Sequence, residues 1–205
     1  MVTATPPARP LYYRGRPVPW ITKWSGEHLP VGSMRLLVHV SGRLGYEDEH
    51  HAERDSRGVL WFRDGNAPGE GQPLWSLVHT GRQRRAMRLL RCQICDTPLD
   101  RQRTPWLFSD IEWPHLARRP WTNTPPTCEN CWPTAEQQCP HLRRHQPVVR
   151  CYVIACAPFG IQGDLYTREG GQADLRAVAV RYDSPRIPGM LAKQALVTIP
   201  TAQPA

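Results

Sequence analysis

The sequence predicts an α+β fold, a small mixed β-rich body with short helices and a four-cysteine module in its middle. Three observations predict it. Short β-branched or alternating runs recur between turn residues, which is the pattern of brief strands. A single segment, 82–91, has convincing helical spacing. Two Cys-x₂-Cys pairs, Cys92-Gln93-Ile94-Cys95 and Cys128-Glu129-Asn130-Cys131, stand near the centre of the chain. With 22 Pro and 15 Gly in 205 residues, short elements and many turns are favoured over long helices.

In order, residues 1–10 are rich in Pro, Ala and Thr and predict a flexible arm. Residues 11–24 carry Tyr12, Tyr13, Trp20 and Trp24 between prolines and predict an extended segment packed on the body. Residues 35–40 and 58–63 predict strands, the second closed by the turn signal Asp64-Gly65-Asn66. The charged stretch 46–57 between them predicts an exposed loop, and 67–73 a Gly/Pro loop.

In the predicted helix 82–91, Ala86, Leu89 and Leu90 form an apolar face with Met87 beside it. Arg82, Arg84, Arg85, Arg88 and Arg91 cover the rest. Residues 101–121, with Trp106, Trp113 and Trp121 among prolines, predict loop with short regular pieces. Residues 138–146 predict a short basic segment, and 148–155, 175–182 and 195–199 predict strands. Residues 163–166 and 169–171 look like turn material, and 200–205 like a tail. The expected organisation is an arm (1–10), a β-rich part (11–81), a metal-binding module (82–146), a C-terminal β part of the same body (147–199) and the tail.

The formal charge is +8 and the basic residues are almost all Arg, with Lys only at Lys23 and Lys193. Such a balance permits binding to nucleic acid or another anionic surface. An Arg-rich solvated surface, or a GC-rich genome, produces the same bias. No apolar run approaches the roughly 18–20 residues of a membrane span. Residues 1–10 lack the apolar region of a secretory signal. The expected compartment is therefore the cytoplasm, where thiols stay reduced and paired cysteines read as metal sites before disulfides. All seven cysteines fall between Cys92 and Cys156, unlike a disulfide framework spread over the chain.

Two cysteines two residues apart reach one ion from a tight turn, and two such turns complete the tetrahedron that Zn²⁺ prefers. The expected ligands are Cys92, Cys95, Cys128 and Cys131. The insert, positions 96 to 127, is long for a compact zinc ribbon, but loop-closure entropy grows slowly with length. Cys139 and His141 leave three readings open. One of them replaces a knuckle cysteine, or they form a separate site with Cys151 or Cys156, or they are a buried thiol and a surface imidazole. Four thiolates already close a structural site and leave no position for catalysis. The run Glu47-Asp48-Glu49-His50-His51 reads as a solvated charged loop, because adjacent side chains do not point the same way. No phosphate-binding loop, dinucleotide fingerprint or nucleophile elbow occurs.

The order of a knuckle, an insert with Asp110 and His115, an asparagine (Asn123 or Asn130) and a second knuckle resembles zinc-supported HNH and treble-clef modules. In the HNH family a histidine directly follows an acidic residue and a second metal ion holds the phosphate. Here Ile111 follows Asp110 and Pro114 precedes His115, so the catalytic part of the pattern is missing. Further pieces are Pro19 to Glu27, Gly58-Val59-Leu60-Trp61, His79 to Leu90, Arg91 to Cys95, and Cys139-Pro140-His141-Leu142-Arg143. Together these resemble a family of hypothetical zinc-knuckle proteins from Streptomyces-type actinobacteria. That resemblance implies zinc binding and a bacterial cytosol, and no reaction.

The function expected from the sequence is a zinc-stabilised basic protein that binds nucleic acid, DNA rather than RNA, or regulates through it. The helix at 82–91, fixed by the first knuckle, would present Arg82, Arg84, Arg85, Arg88 and Arg91 to phosphates, with Arg118, Arg119, Arg143 and Arg144 extending the patch. The competing class is an interaction scaffold or regulator whose partner is another protein. An HNH-like metal-dependent endonuclease comes third.

Overall fold

The computed structural model describes residues 11–30, 32–167 and 172–205. The expected arm at 1–10 and the expected turn at 169–171 lie outside them. The architecture is α+β, many short strands with four brief helices among the described residues. The chain opens with a hairpin of β1 (Leu11–Tyr13) and β2 (Arg16–Val18). Its turn places Arg14 at φ 50° and Gly15 at φ 74°, the left-handed pair that matches strand twist. β3 (Thr22–Trp24) pairs with β7 (Pro73–Val78), and β4 (Leu36–Val38) with β5 (Leu44–Tyr46). The strands expected at 35–40 and 58–63 are thus shorter than their hydrophobic runs, as β4 and as β6 (Leu60–Trp61).

Two larger sheets enclose the core. One has the order β12 (Leu175–Arg181), β11 (Pro158–Leu165), β13 (Met190–Thr198), β6, with β9 (Trp121–Thr122) on the far end of β13. The other has the order β14 (Thr201–Pro204), β10 (Val149–Ile154), β8 (Thr104–Phe108). Every pairing is antiparallel except that of β6 with β13. Between the sheets, Trp106 and Phe108 of β8 and Cys151 and Val153 of β10 meet Ile161 of β11 and Met190 and Ala192 of β13, all fully buried. Burying such side chains is worth about 1.5–3 kcal/mol each.

The segment read as turn material at 163–166 runs largely within β11, and the expected tail holds β14. Glycine is needed in β11 for packing. A Cβ on Gly163 would lie 2.1 Å from the Leu191 carbonyl oxygen, and one on Gly160 2.1 Å from that of Val180. Both sit where the register with β13 shifts.

Helix α1 (Thr80–Leu89) packs on β13. Its Gln83 is fully buried, donates from Nε2 to the Ala195 carbonyl at 3.0 Å and accepts from the Ala195 N–H at 2.8 Å. The side chain thereby satisfies backbone groups of β13 that no neighbouring strand covers. Helices α2 (Glu112–Leu116), α3 (Trp132–Gln138) and α4 (Pro140–Arg144) follow β8 in the chain. β8 is buried on both faces. Trp106 and Phe108 enter the main core, while Leu107 packs against Trp132 of α3 and Leu142 of α4. Among the described residues no helix is long and apolar enough to cross a membrane.

Candidate metal centre

α1 leads directly into the first knuckle. Leu90 takes a left-handed conformation, φ 51°, and turns the chain out of the helix. The Cys92 N–H then donates to Thr97 and the Asp96 N–H to Cys92, both at 2.9 Å, closing a tight hairpin. Asp96 sits at φ 53°, a region that glycine usually fills. Its side chain is held there by Arg91, whose Nε donates to Oδ1 at 2.6 Å, both residues buried. The Ile94 N–H points at Cys92 Sγ, 3.4 Å away. Such amide donation favours a thiolate.

The second pair stands at the start of a helix. Cys128 is extended, residues Glu129–Cys131 form one 3-10 turn, and α3 follows at once. Gln93 joins the two knuckles. Its N–H donates to Pro126 at 2.9 Å, and its side-chain amide donates to Pro125 O and Thr127 Oγ1. The Cys128 N–H donates to Cys92 Sγ across the join, at 3.4 Å. The N-terminal segment is tied in as well, because the Trp20 and Ile21 N–H groups donate to Ile94 and Gln93.

The outcome is that one sulfur from each of Cys92, Cys95, Cys128 and Cys131 lies within 4.8 Å of all the others. The residues fit a metal ion on geometry alone. Cys95 and Cys128 Sγ are 3.7 Å apart, close to the edge of about 3.8 Å in a tetrahedron with metal–sulfur bonds of about 2.3 Å. The electrostatics agree. Hydrogen bonds from Cys128 first, then Cys131, hold the Cys92 and Cys95 thiols low, and the contact with Cys128 above all holds Cys131 high. Four sulfurs this close share protons among themselves, and a divalent cation displaces them. The four cysteines can hold a metal ion, and a set of four thiolates leaves no open coordination position.

Cys139 and His141 are not part of this group. Cys139 is half-buried between α3 and α4 and packs with Trp132 and Leu142. His141 Nε2 lies 3.1 Å from Ser109 Oγ. The third reading, a packed thiol and a surface imidazole, describes their positions. Cys151 is fully buried in the main core, and burial pushes its thiol up to about 12. The residues of the nuclease pattern do not bond to one another among the described residues. Asn123 donates its amide to Gln162 and Gln194, His115 is exposed on α2, and Asp110 faces His145.

The arginines of α1 depart from the expected phosphate-facing row. Arg82 is buried and bonds through its two terminal nitrogens to Glu27, which is fully buried, and to the Thr22 carbonyl. Arg91 is buried against Asp96. Neither can reach a phosphate. Arg84 lies over the Trp61 ring, and burial lowers its pKa. Arg85 is half-buried, 3.6 Å from Asp96. Arg88 alone of the five is exposed. Four others are exposed: Arg118 and Arg119 just beyond α2, and Arg143 and Arg144 on α4. None of these four is ion-paired among the described residues. The Glu27–Arg82 pair was invisible to spacing, because its partners are 55 positions apart.

No family model matches the chain, and no curated protein or solved structure matches it.

Proposed function

We propose that the chain is a zinc-stabilised protein that binds the phosphate backbone of nucleic acid, duplex DNA in the first instance. The observation that carries this reading is the set Arg118 and Arg119 just beyond α2 with Arg143 and Arg144 on α4, all exposed and without a carboxylate partner among the described residues. Elsewhere arginines such as Arg54, Arg63, Arg82 and Arg91 are used up in ion pairs. α2 and α4 meet at Glu112 and His141, 3.5 Å apart, so the segments that carry the two arginine pairs lie side by side. Guanidinium groups bind phosphate oxygens in bidentate fashion. Zinc suits the centre because four soft thiolates at tetrahedral spacing are its usual structural set. The metal's part is architectural. It fixes α3, and through Trp132 and Leu142 the position of α4.

The test is a salt titration of binding to a labelled duplex. With about four phosphate contacts, log affinity should fall with log salt at a slope of about 3 to 4. Arg143→Glu with Arg144→Glu should lower the slope by about two and abolish binding at physiological salt. Arg84→Glu, at a half-buried position, should leave the slope unchanged. A flat slope in the wild type contradicts the reading and favours a protein partner.

A further inference from the structure

Away from the cysteines, a second group of metal-ligating side chains gathers where α4 meets the start of α2. His141 and His145 stand one helical turn apart, and the His145 N–H donates to the His141 carbonyl at 3.0 Å. Their rings therefore share a face, with centroids 4.9 Å apart. Opposite them, the residues after β8 supply two carboxylates. His141 Nε2 is 3.5 Å from Glu112 Oε2, and His145 Nδ1 is 3.7 Å from Asp110 Oδ1. Neither contact is a hydrogen bond, and the one hydrogen bond of His141 Nε2 among the described residues is with Ser109 Oγ at 3.1 Å. Among the described residues Asp110 Oδ1 is buried and has no hydrogen-bond partner, an arrangement that costs about 1–3 kcal/mol and that a cation would relieve.

Glu112 is positioned in advance. Its Oε2 accepts from the Ser109 N–H and hydroxyl, both at 2.9 Å, and its Oε1 from the Thr124 hydroxyl at 3.3 Å. Outer partners of this kind orient a metal-binding carboxylate. Two imidazoles on one helical turn with two carboxylates form a nitrogen–oxygen set suited to zinc, cobalt or manganese.

We propose that His141, His145, Glu112 and Asp110 bind a second divalent transition-metal ion, through Nε2 of the first histidine and Nδ1 of the second. The ligand atoms now stand in two pairs. Among the described residues only the cysteine sulfurs already meet within 4.8 Å of one another. The ion takes the place of the Ser109 hydroxyl at His141 Nε2 and draws the histidines and Asp110 toward Glu112, which stays on its Ser109 and Thr124 bonds. That rotation is open to His141, His145 and Asp110, whose side chains are 44%, 29% and 36% exposed. A site that must close on its ion binds more weakly than the cysteine centre, so the two fill in sequence. The inference does not depend on nucleic-acid binding.

The experiment is calorimetric titration with Zn²⁺ of the full chain already carrying one thiolate-bound zinc. The wild type should take up about one further equivalent. His141→Ala with His145→Ala should abolish that uptake, while thiolate-bound zinc, released by a mercurial reagent, stays unchanged. Asp110→Asn should weaken uptake by about tenfold or more with the same thiolate-bound zinc, and it decides the matter if the double variant fails to fold. No further uptake by the wild type, or uptake by the folded variants as tight as the wild type's, overturns the proposal.

Discussion

Glu27 and Arg82 show how far a single residue's role depends on what it touches. Both are charged and both are buried, so their transfer from water is costly unless each satisfies the other. Glu27 accepts from Arg82 and from the Trp24 N–H at 2.8 Å. Burial pushes its carboxyl up, but these bonds outweigh burial and hold it below the usual range. Removing Arg82 leaves the carboxylate unpaired. Arg82→Ala should therefore cost about 3–5 kcal/mol, read as a shift in urea midpoint, whereas Arg143→Ala should stay within about 0.5 kcal/mol. The pH dependence follows from the lowered carboxyl. Its stabilisation is complete above the unfolded value of about 4.3 and is lost as pH falls through the lower folded value. Urea midpoints measured between neutral pH and pH 3 should fall at the acid end, and Glu27→Gln should flatten that part of the curve. An equal fall in Glu27→Gln and wild type would place the acid sensitivity elsewhere.

At the scale of elements, legibility tracked regular pattern. The run at 148–155 and the alternation at 175–182 became β10 and β12, and the helix expected at 82–91 became α1, begun two residues earlier. The cysteine set was legible because a Cys-x₂-Cys turn is a local geometry that needs no knowledge of the remaining chain. β8 was legible only as one unplaced short piece within 101–121, because Pro105 and the tryptophans around it resemble loop. Proline is tolerated there because β8 is the edge of its sheet, paired among the described residues only with β10. β11 was hidden because 163–166 read as turn material, whereas Gly163, like Gly160, serves close strand packing in space. The orientation of α1 was hidden too, because an arginine bound to a carboxylate looks in sequence like one facing solvent. Gly163→Ala tests how closely β11 packs on β13. Its methyl group would overlap the Leu191 carbonyl, and the variant should lose about 1–3 kcal/mol or more in chemical denaturation. A change within about 0.5 kcal/mol would mean that β11 and β13 are not so closely packed.

For the whole molecule, the metal module is woven into the body. β8 lies between the two cysteine pairs in the chain, yet it pairs with β10 and fills the main core with Trp106 and Phe108. β9, from the same insert, pairs with β13, and the first knuckle accepts hydrogen bonds from Trp20 and Ile21. Loss of a metal ion held by the four cysteines should therefore act on the entire fold, and thermal unfolding should remain one transition whether or not an ion is bound. Stripping the ion should lower the midpoint by about 6–12 °C if the centre contributes about 3 kcal/mol. The architecture turns on which four residues hold the metal, and zinc K-edge X-ray absorption of the protein carrying one equivalent reads them directly. It should give about four sulfur neighbours at about 2.3 Å, unchanged in Cys139→Ser and reduced in Cys128→Ser. A first shell containing nitrogen or oxygen in the wild type, or a sulfur count that falls with Cys139 and not with Cys128, would contradict it.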